Sequence, residues 1–133
     1  MLNREDFEKR AGSISWEDGK NLNRVFPGRK DGTKMERLAA AITESLIKKA
    51  DYYIDLHGGD DYEKLTPYVY FAGVAKPEIM EASRKMAEQV DVPYMVQSNV
   101  STGGAYNYAA STCDIPAVLL ERGCMGTWER EEV

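Results

Sequence analysis

The sequence has 133 residues, of which 43% are hydrophobic and 29% are charged, a balance typical of a globular chain that can bury a core. The net charge of −5 and the lack of a Lys/Arg run argue against a nucleic-acid or anionic-membrane partner. No stretch approaches a membrane span, the first residues do not resemble a signal peptide, and two cysteines are too few for a disulfide framework. We therefore expect a cytoplasmic protein.

The first third of the chain combines an irregular segment with one helix. Residues 1–32 are polar, with one predicted helical turn around Glu5 to Arg10, and a loop of this length is usually functional. Thr33 and Glu36 then form a capping box, which predicts a helix running to about Lys49. Its apolar residues recur on one face and predict a side packed on the core: Met35, Leu38, Ala39, Ile42 and Leu46.

Strands and helices alternate along the remainder. Apolar and β-branched runs predict strands at 52–57, 68–71, 94–97 and 115–120. Pro77 opens one intervening helix, and the pair Gly103-Gly104 leads into another that ends near Cys113. This alternation predicts an α/β fold of three layers, α/β/α, around a mainly parallel or mixed sheet.

Two candidate catalytic residues stand at the ends of predicted strands. His57, the only histidine, closes the 52–57 strand before two glycines, and Glu121 closes the last strand. Ligands gather at the carboxyl ends of strands in open α/β sheets, so these side chains can meet across adjacent strands. A glutamate beside an imidazole-bound metal can act as general base. Alternatively, His57 is an inert hydrogen-bonded strand end, and Glu121 pairs with Arg122 or Arg24.

Asn23 and Arg24 form a candidate anion-binding pair in the N-terminal segment. The planar guanidinium matches a carboxylate bidentately, and the neighbouring amide adds a directed contact. The following Pro27-Gly28 is expected to pin the loop. The pair therefore predicts a carboxylate clamp, while the alternative is an arginine that tethers the loop to a neighbouring acid.

Other candidates carry weaker signals. Asp55 has the strand parity of His57, so it either orients the imidazole or caps a turn. Cys113 or Cys124 with His57 would suggest a thiol nucleophile, but neither has a matching third group, which favours simple packing. The Gly103-Gly104 pair can expose backbone N–H groups to a ligand. The tyrosine-rich segments are interpreted as half-buried packing, at Tyr52, Tyr53, Tyr68, Tyr70, Tyr106 and Tyr108.

Three sequence elements occur in an order that resembles one known family. They are NLNRVFPG at 21–28, DLHG at 55–58 and IPAVLLERG at 115–123. From about Phe7 to Val133 the chain resembles the succinylglutamate desuccinylase/aspartoacylase family, zinc hydrolases related in fold to the zinc carboxypeptidases.

The resemblance implies a role for each candidate residue. His57 would be the third protein ligand of a catalytic zinc, and Glu121 the general base that passes a proton from water to the leaving amine. Asn23 and Arg24 would hold the substrate's carboxylate, and Arg10 is the nearest candidate for an arginine that polarises the scissile carbonyl. The implied reaction is hydrolysis of an amide bond next to a carboxylate, in an N-acyl amino acid or at a peptide end.

The sequence departs from the family pattern before the Asn-Arg pair. Family members carry His-x-x-Glu there, which supplies two more zinc ligands, whereas only Met1 to Lys20 stand here, without a second histidine. A catalytic zinc normally has three protein ligands and a water. We therefore predict that residues 1–133 form a partial, zinc-carboxypeptidase-like catalytic domain, incomplete and inactive alone, with an open sheet edge that favours self-association. A carboxypeptidase-like metallopeptidase and a non-catalytic α/β carboxylate-binding module remain as alternatives.

Overall fold

The computed structural model describes residues 3–60 and 62–126, which form helices and strands in alternation. The helices are α1 (Arg4–Glu8), α2 (Lys34–Ser45), α3 (Pro77–Ala87) and α4 (Ala105–Cys113). The strands are β1 (Tyr53–His57), β2 (Tyr68–Ala72), β3 (Tyr94–Ser98) and β4 (Ala117–Glu121). Two single 3₁₀ turns, Leu22–Arg24 and Ile47–Lys49, precede and follow α2. Among the described residues, no helix has the length and apolar character needed to cross a bilayer.

The four strands form one mixed sheet in the order β1-β4-β2-β3. β4 runs parallel to β1 and antiparallel to β2, while β2 and β3 are parallel. The last of the described strands is therefore inserted in the centre of the sheet. A central strand is covered on both faces, which explains why β4 begins with a continuous apolar run.

Helices cover both faces of the sheet, which confirms the predicted three-layer α/β fold. On one face α2 and α4 pack against the sheet, and the core there includes Phe26, Ala39, Ala72, Ala109, Ala117 and Leu119. On the other face α3 packs on a smaller cluster formed by Val69, Ala87 and Val118, with Phe71, Met86 and Leu120 beside it. Ser83 of α3 is also buried, and its hydroxyl accepts a hydrogen bond from the Ala117 backbone N–H at 3.0 Å.

The end of α2 differs from the sequence prediction. The helix ends at Ser45 rather than near Lys49, because Leu46 leaves the helical conformation at φ −122°, ψ −64°. The chain then tightens into the second 3₁₀ turn. This change moves the core-facing side chain from Leu46 to Ile47. Ile47 is fully buried, whereas Leu46, which was predicted to lie in the core, is 58% exposed.

Strand β1 lies at an edge of the sheet and shows two different faces. Tyr53, Asp55 and His57 point toward the α2/α4 side, while Ile54 and Leu56 alternate to the other side and are 61% and 71% exposed. Within the described chain, β1 pairs with β4 alone. The functional candidates on β1 therefore share its covered face, and its apolar residues occupy the uncovered one.

Candidate active site

His57 and Glu121 are register partners at the carboxyl ends of β1 and β4. Because the strands are parallel neighbours and the side chains share a face, Nδ1 of His57 lies 3.6 Å from Oε1 of Glu121. The prediction that these two side chains meet at the rim of the sheet is confirmed. Their chemical roles stay predictions.

The other side of the imidazole faces Asp55. Two residues earlier on the same strand, Asp55 projects to the same face, and its Oδ1 lies 3.3 Å from Nε2 of His57. The imidazole is thus held between two carboxylates. Of the two alternatives for Asp55, this geometry favours the one in which it orients His57.

The two carboxylates change the protonation of His57. A hydrogen bond to Asp55 is the largest cause, followed by one to Glu121, and together they raise the pKa of His57 to about 9 against an opposing effect of burial. Both carboxylates therefore favour the charged form of the imidazole, with Asp55 beside Nε2 and Glu121 beside Nδ1. Both nitrogens are consequently engaged by the chain's own groups.

Asn23 links three elements of the site through its carboxamide. Its Oδ1 accepts a hydrogen bond from the backbone N–H of Ala105, the first residue of α4, at 2.7 Å. Its Nδ2 donates to Oδ2 of Asp55 at 3.5 Å and lies 3.1 Å from Nε2 of His57, to which it donates when that nitrogen is unprotonated. The residue therefore caps α4 from a distant loop and supports β1. Its predicted contact with a substrate carboxylate stays a prediction.

Close packing holds the loop that carries Asn23 and Arg24. The hydroxyl of Thr43 on α2 donates to the carbonyl of Pro27 at 3.1 Å, and the N–H of Phe26 donates to the carbonyl of Gly103 at 3.1 Å. Gly28 has φ +80° and packs so tightly that a Cβ there would lie 2.2 Å from the carbonyl oxygen of Glu36. Only glycine fits this position. The loop is therefore pinned on α2, as the Pro-Gly pair predicts.

Arg24 presents its guanidinium to solvent at the site. Its Nη1 donates to the carbonyl of Asn23 at 2.8 Å, and no carboxylate of the described residues lies within ion-pair distance of it. Within residues 3–60 and 62–126, the alternative, a tether from this arginine to a neighbouring acid, is not seen. The guanidinium is available to an anionic ligand.

Two cavities meet at these residues, one of about 630 Å³ and one of about 470 Å³. Both are lined by Asn23, Arg24, His57 and Glu121. The larger extends along the N-terminal segment and the smaller toward the start of α4. The four residues thus form a wall shared by both cavities, and a ligand in either cavity can contact them.

Two lining residues were not singled out by the sequence as functional. Tyr68, interpreted as packing, lies opposite Glu121 in the β2–β4 register and lines the larger cavity, where burial raises its pKa. Asn107 of α4 lines the smaller cavity. The only signal for this region was the Gly103-Gly104 pair, which marks close approach of backbone but does not indicate a particular side chain.

Arg10 and the cysteines lie apart from this group. Arg10 lines a third cavity of about 1000 Å³ beside α1, and it does not line either cavity at His57. Its proposed action on a scissile carbonyl stays a prediction. Neither Cys113 nor Cys124 is among the described residues that line the three cavities. A cysteine nucleophile activated by His57 therefore has no support in this geometry.

The described residues do not form a complete zinc site. They contain no group of three or more His, Cys, Asp or Glu side chains arranged to hold a metal ion, and the sequence has one histidine. A catalytic zinc needs about three protein ligands. In addition, Nε2 of His57 lies 3.3 Å from the Asp55 carboxylate and Nδ1 lies 3.6 Å from the Glu121 carboxylate. No reaction step can be assigned to a metal from these residues alone.

Comparison with known proteins shows which family contains this arrangement of residues. Residues 7–133 match the family model described as the succinylglutamate desuccinylase/aspartoacylase catalytic domain. The chain belongs to this family. The resemblance inferred from the three sequence elements is confirmed, and the matched range includes the loop with Asn23 and Arg24 as well as the strand ends with His57 and Glu121.

Solved structures and one curated relative agree with the family assignment. A succinylglutamate desuccinylase from Silicibacter sp. TM1040 matches with a TM-score of 0.84 and 27% identity, over 98% of this chain and 40% of that chain. The product-bound ectoine utilization protein EutE (DoeB) from Ruegeria pomeroyi matches with a TM-score of 0.78 and 28% identity, over 90% and 37%. The N-alpha-acetyl-L-2,4-diaminobutyric acid deacetylase of Halomonas elongata is 32% identical over 79 residues, which are 59% of this chain.

The chain spans only part of these relatives. It covers 23% of the Halomonas elongata deacetylase and 40% or less of the two solved chains. The comparisons establish the family and the fold of this chain. Because the chain covers only part of its relatives, the reaction of a whole protein is a proposal.

Proposed function

We propose that this family domain carries part of the active site of a hydrolase that cleaves an amide bond next to a carboxylate, with N-acyl amino acids as substrates. The observation that carries the proposal is the convergence of His57, Glu121 and Arg24 on the wall shared by two cavities. A carboxylate base beside an imidazole, together with an available guanidinium, is suited to this reaction. The deacetylase and desuccinylase names of the relatives support the same class.

Arg24 is the proposed anchor for the substrate's carboxylate. Its guanidinium is exposed and makes no ion pair with the described residues, so a bidentate contact needs no existing salt bridge to break. The loop pinned on α2 holds the arginine on the cavity wall that Glu121 also lines. Anchoring the carboxylate there places the adjacent amide near the strand ends, which is the positioning that such a reaction requires.

Glu121 is the proposed general base. Its carboxylate takes a proton from a water molecule as the water oxygen bonds to the amide carbon. It then delivers the proton to the amide nitrogen as the carbon–nitrogen bond breaks, which releases an amine and a carboxylic acid. His57 is held in place by Asp55 and lies beside the carboxylate of Glu121, whose charge and orientation it stabilises.

Zinc enters this proposal only through His57. The family resemblance makes His57 one of three protein ligands, and we keep that assignment as part of the proposal. The described residues supply one imidazole and no cluster of three ligands. The chain alone is accordingly expected to be inactive, and ligand binding is the first property to measure.

Calorimetric titration of the chain with an N-acetyl amino acid and with its C-terminal primary amide tests the clamp. The carboxylate ligand should bind about tenfold or more tightly than the amide, and Arg24→Met should remove that difference. Arg29→Met is the matched control, since Arg29 lies outside both cavities and pairs with Asp31. Equal binding of the two ligands to the unmodified chain would refute the clamp.

A second candidate is a non-catalytic carboxylate-binding module. It is favoured by the charged His57 held between two carboxylates, which resembles a structural network rather than a metal ligand. Release of amine from an N-acetyl amino acid separates the candidates. Because this chain alone is expected to be inactive, the assay uses a longer protein that contains the domain. There a hydrolase loses about 10²–10⁴-fold in rate on Glu121→Gln, whereas a module releases no amine in either form. Comparing an N-acetyl amino acid with a dipeptide distinguishes a deacylase from a metallopeptidase.

A further inference from the structure

The carboxamide of Asn23 contacts protein groups at both of its ends. Its Oδ1 accepts a hydrogen bond from the backbone N–H of Ala105 at 2.7 Å. Its Nδ2 donates to Oδ2 of Asp55 at 3.5 Å and lies 3.1 Å from Nε2 of His57. An asparagine side chain has one carbonyl oxygen and one NH₂ group. Both groups are therefore engaged, the oxygen by α4 and the nitrogen by β1.

A substrate carboxylate could use this NH₂ group only by competing with Asp55. Both carboxylates would then lie within hydrogen-bond distance of Nδ2, and like charges at that separation repel each other. The guanidinium of Arg24 is different, since it is exposed and makes no ion pair with the described carboxylates. Of the two residues in the predicted clamp, Arg24 is therefore the one that can bind an anion without displacing a carboxylate.

Asn23 also fixes the position of Arg24. Its backbone carbonyl accepts a hydrogen bond from Nη1 of Arg24 at 2.8 Å, and its backbone N–H donates to Oδ1 of Asn21 at 2.8 Å. The guanidinium is thus held by the residue that precedes it, within the 3₁₀ turn Leu22–Arg24. Movement of Asn23 would therefore displace the arginine on the cavity wall.

Gly103 allows the start of α4 to approach this turn. It has φ +89°, a conformation that favours glycine, and its carbonyl accepts a hydrogen bond from the N–H of Phe26 at 3.1 Å. A Cβ at Gly103 would lie 3.5 Å from the carbonyl oxygen of Arg24, so the two backbones run close together. The sequence suggests that the glycine pair exposes N–H groups to a ligand. Instead, the N–H that follows the pair, that of Ala105, donates to Asn23.

From these contacts we infer that Asn23 is a positioning residue, which ties α4 to β1 and thereby holds Arg24, and that Arg24 contacts the substrate's carboxylate without it. The inference rests on the proposed function, in which Arg24 anchors that carboxylate. It replaces the predicted contact between Asn23 and the same group. Because Asn23 acts on ligand binding through Arg24, its effect should disappear when the guanidinium is absent.

Hydrogen exchange at the backbone amide of Ala105, followed by NMR, tests the link to α4. The first N–H groups of a helix have no acceptor within the helix, so exchange at this position reports on the contact with Asn23. Asn23→Ala should speed the exchange about tenfold or more, and Asn23→Asp, which again supplies an acceptor, should restore slow exchange. Asn99→Ala, at an exposed asparagine, is the matched control and should leave the exchange unchanged.

Exchange in the presence of a ligand shows whether Asn23 leaves Ala105. In the unmodified chain saturated with N-acetylalanine, the amide of Ala105 should stay as protected as in the free chain. A carboxamide is planar, so a turn that brings Nδ2 to the ligand also moves Oδ1 away from Ala105. Its exchange would then become about tenfold or more faster. This measurement needs no variant and therefore holds even if a substitution disturbs folding.

Calorimetry with N-acetylalanine and its primary amide tests the action of Asn23 through Arg24. The unmodified chain should prefer the carboxylate ligand about tenfold, and Asn23→Ala should reduce this preference to about threefold or less. In a chain that already carries Arg24→Met, Asn23→Ala should have no further effect on the preference, because the group it positions is gone.

The outcomes separate this inference from the proposed function. If the unmodified chain binds the acid and the amide equally, the clamp fails and the inference fails with it. If the preference is present but ligand binding speeds exchange at Ala105, Asn23 contacts the ligand, and the inference is refuted while the clamp stands. A preference that survives Arg24→Met and is removed by adding Asn23→Ala has the same meaning. Equal exchange at Ala105 in the unmodified chain and in Asn23→Ala would also overturn the inference.

Discussion

His57 and Glu121 belong to strands that are distant in the sequence, yet they are register partners with side chains 3.6 Å apart. The contact depends on β4 being inserted beside β1 in parallel orientation, which brings both carboxyl ends to one rim. Asp55 on the far side of the imidazole completes a row of three side chains.

Asp55→Asn should lower the pKa of His57 from about 9 toward 6.5, because the hydrogen bond to Asp55 is the largest cause of the rise. His57 is the only histidine, so a proton NMR titration follows a single imidazole. Since the folded-state pKa is raised, its contribution to stability is present below about 6.5 and is lost as the pH rises through about 9. Glu121→Gln is the comparison and should lower the pKa less. An unchanged pKa in Asp55→Asn would contradict the described hydrogen bond.

Glu36→Gln should remove an acid-dependent part of the stability. The backbone N–H of Thr33 and then Lys20 hold the pKa of Glu36 at about 2. Because the folded-state pKa is depressed, the contribution is present above about 4.5 and is lost as the pH falls toward 2. Urea denaturation between pH 5 and pH 2 measures it. Glu78→Gln, at an exposed position in the first turn of α3, is the control and should leave the pH slope unchanged.

Ile47→Ala should destabilise the fold by about 2–5 kcal/mol, because Ile47 is fully buried in the 3₁₀ turn after α2. Leu46→Ala, one residue earlier, should change the free energy of unfolding by about 0.5 kcal/mol or less, since that side chain is largely exposed. Chemical denaturation of the two variants compares them directly. The opposite ranking would mean that α2 continues past Ser45 as the periodicity suggests.

A zinc titration of the chain should show weak binding, because a single imidazole engaged by two carboxylates is a poor substitute for three ligands. Calorimetry with a competing chelator measures the affinity. His57→Ala is the control that identifies binding at this site. Tight binding at one ion per chain that His57→Ala abolishes would show that the described residues form a complete metal site after all.

Leu56→Lys should reduce any self-association of the chain. Leu56 is exposed on the uncovered face of β1, next to an edge that has no second strand among the described residues. A lysine on an edge strand opposes pairing with another chain. Sedimentation velocity over a range of concentrations measures the effect, with Leu46→Lys as a control at an exposed leucine away from the sheet. An unmodified chain that stays monomeric throughout would remove the basis for self-association at this edge.

Local sequence patterns determined the elements of this protein and most of the candidate residues. The Thr33–Glu36 capping box places the start of α2, and the apolar run before Glu121 identifies β4, because both depend on contacts within a few residues. The order of three short motifs was enough to identify the family. The end of α2 was misplaced because a 3₁₀ turn changes the helical period that the prediction assumes.

Only the tertiary structure decided which partners these residues have. The double contact of Asn23 with Ala105 and Asp55 depends on groups far away in the sequence, and so does the lack of an ion pair between Arg24 and the described carboxylates. No periodicity or spacing encodes such contacts, since they arise from the packing of a loop and a helix on the rim of the sheet. Composition and local sequence pattern therefore specify which chemical groups the chain contains, whereas tertiary packing determines which of these groups remain available to a ligand.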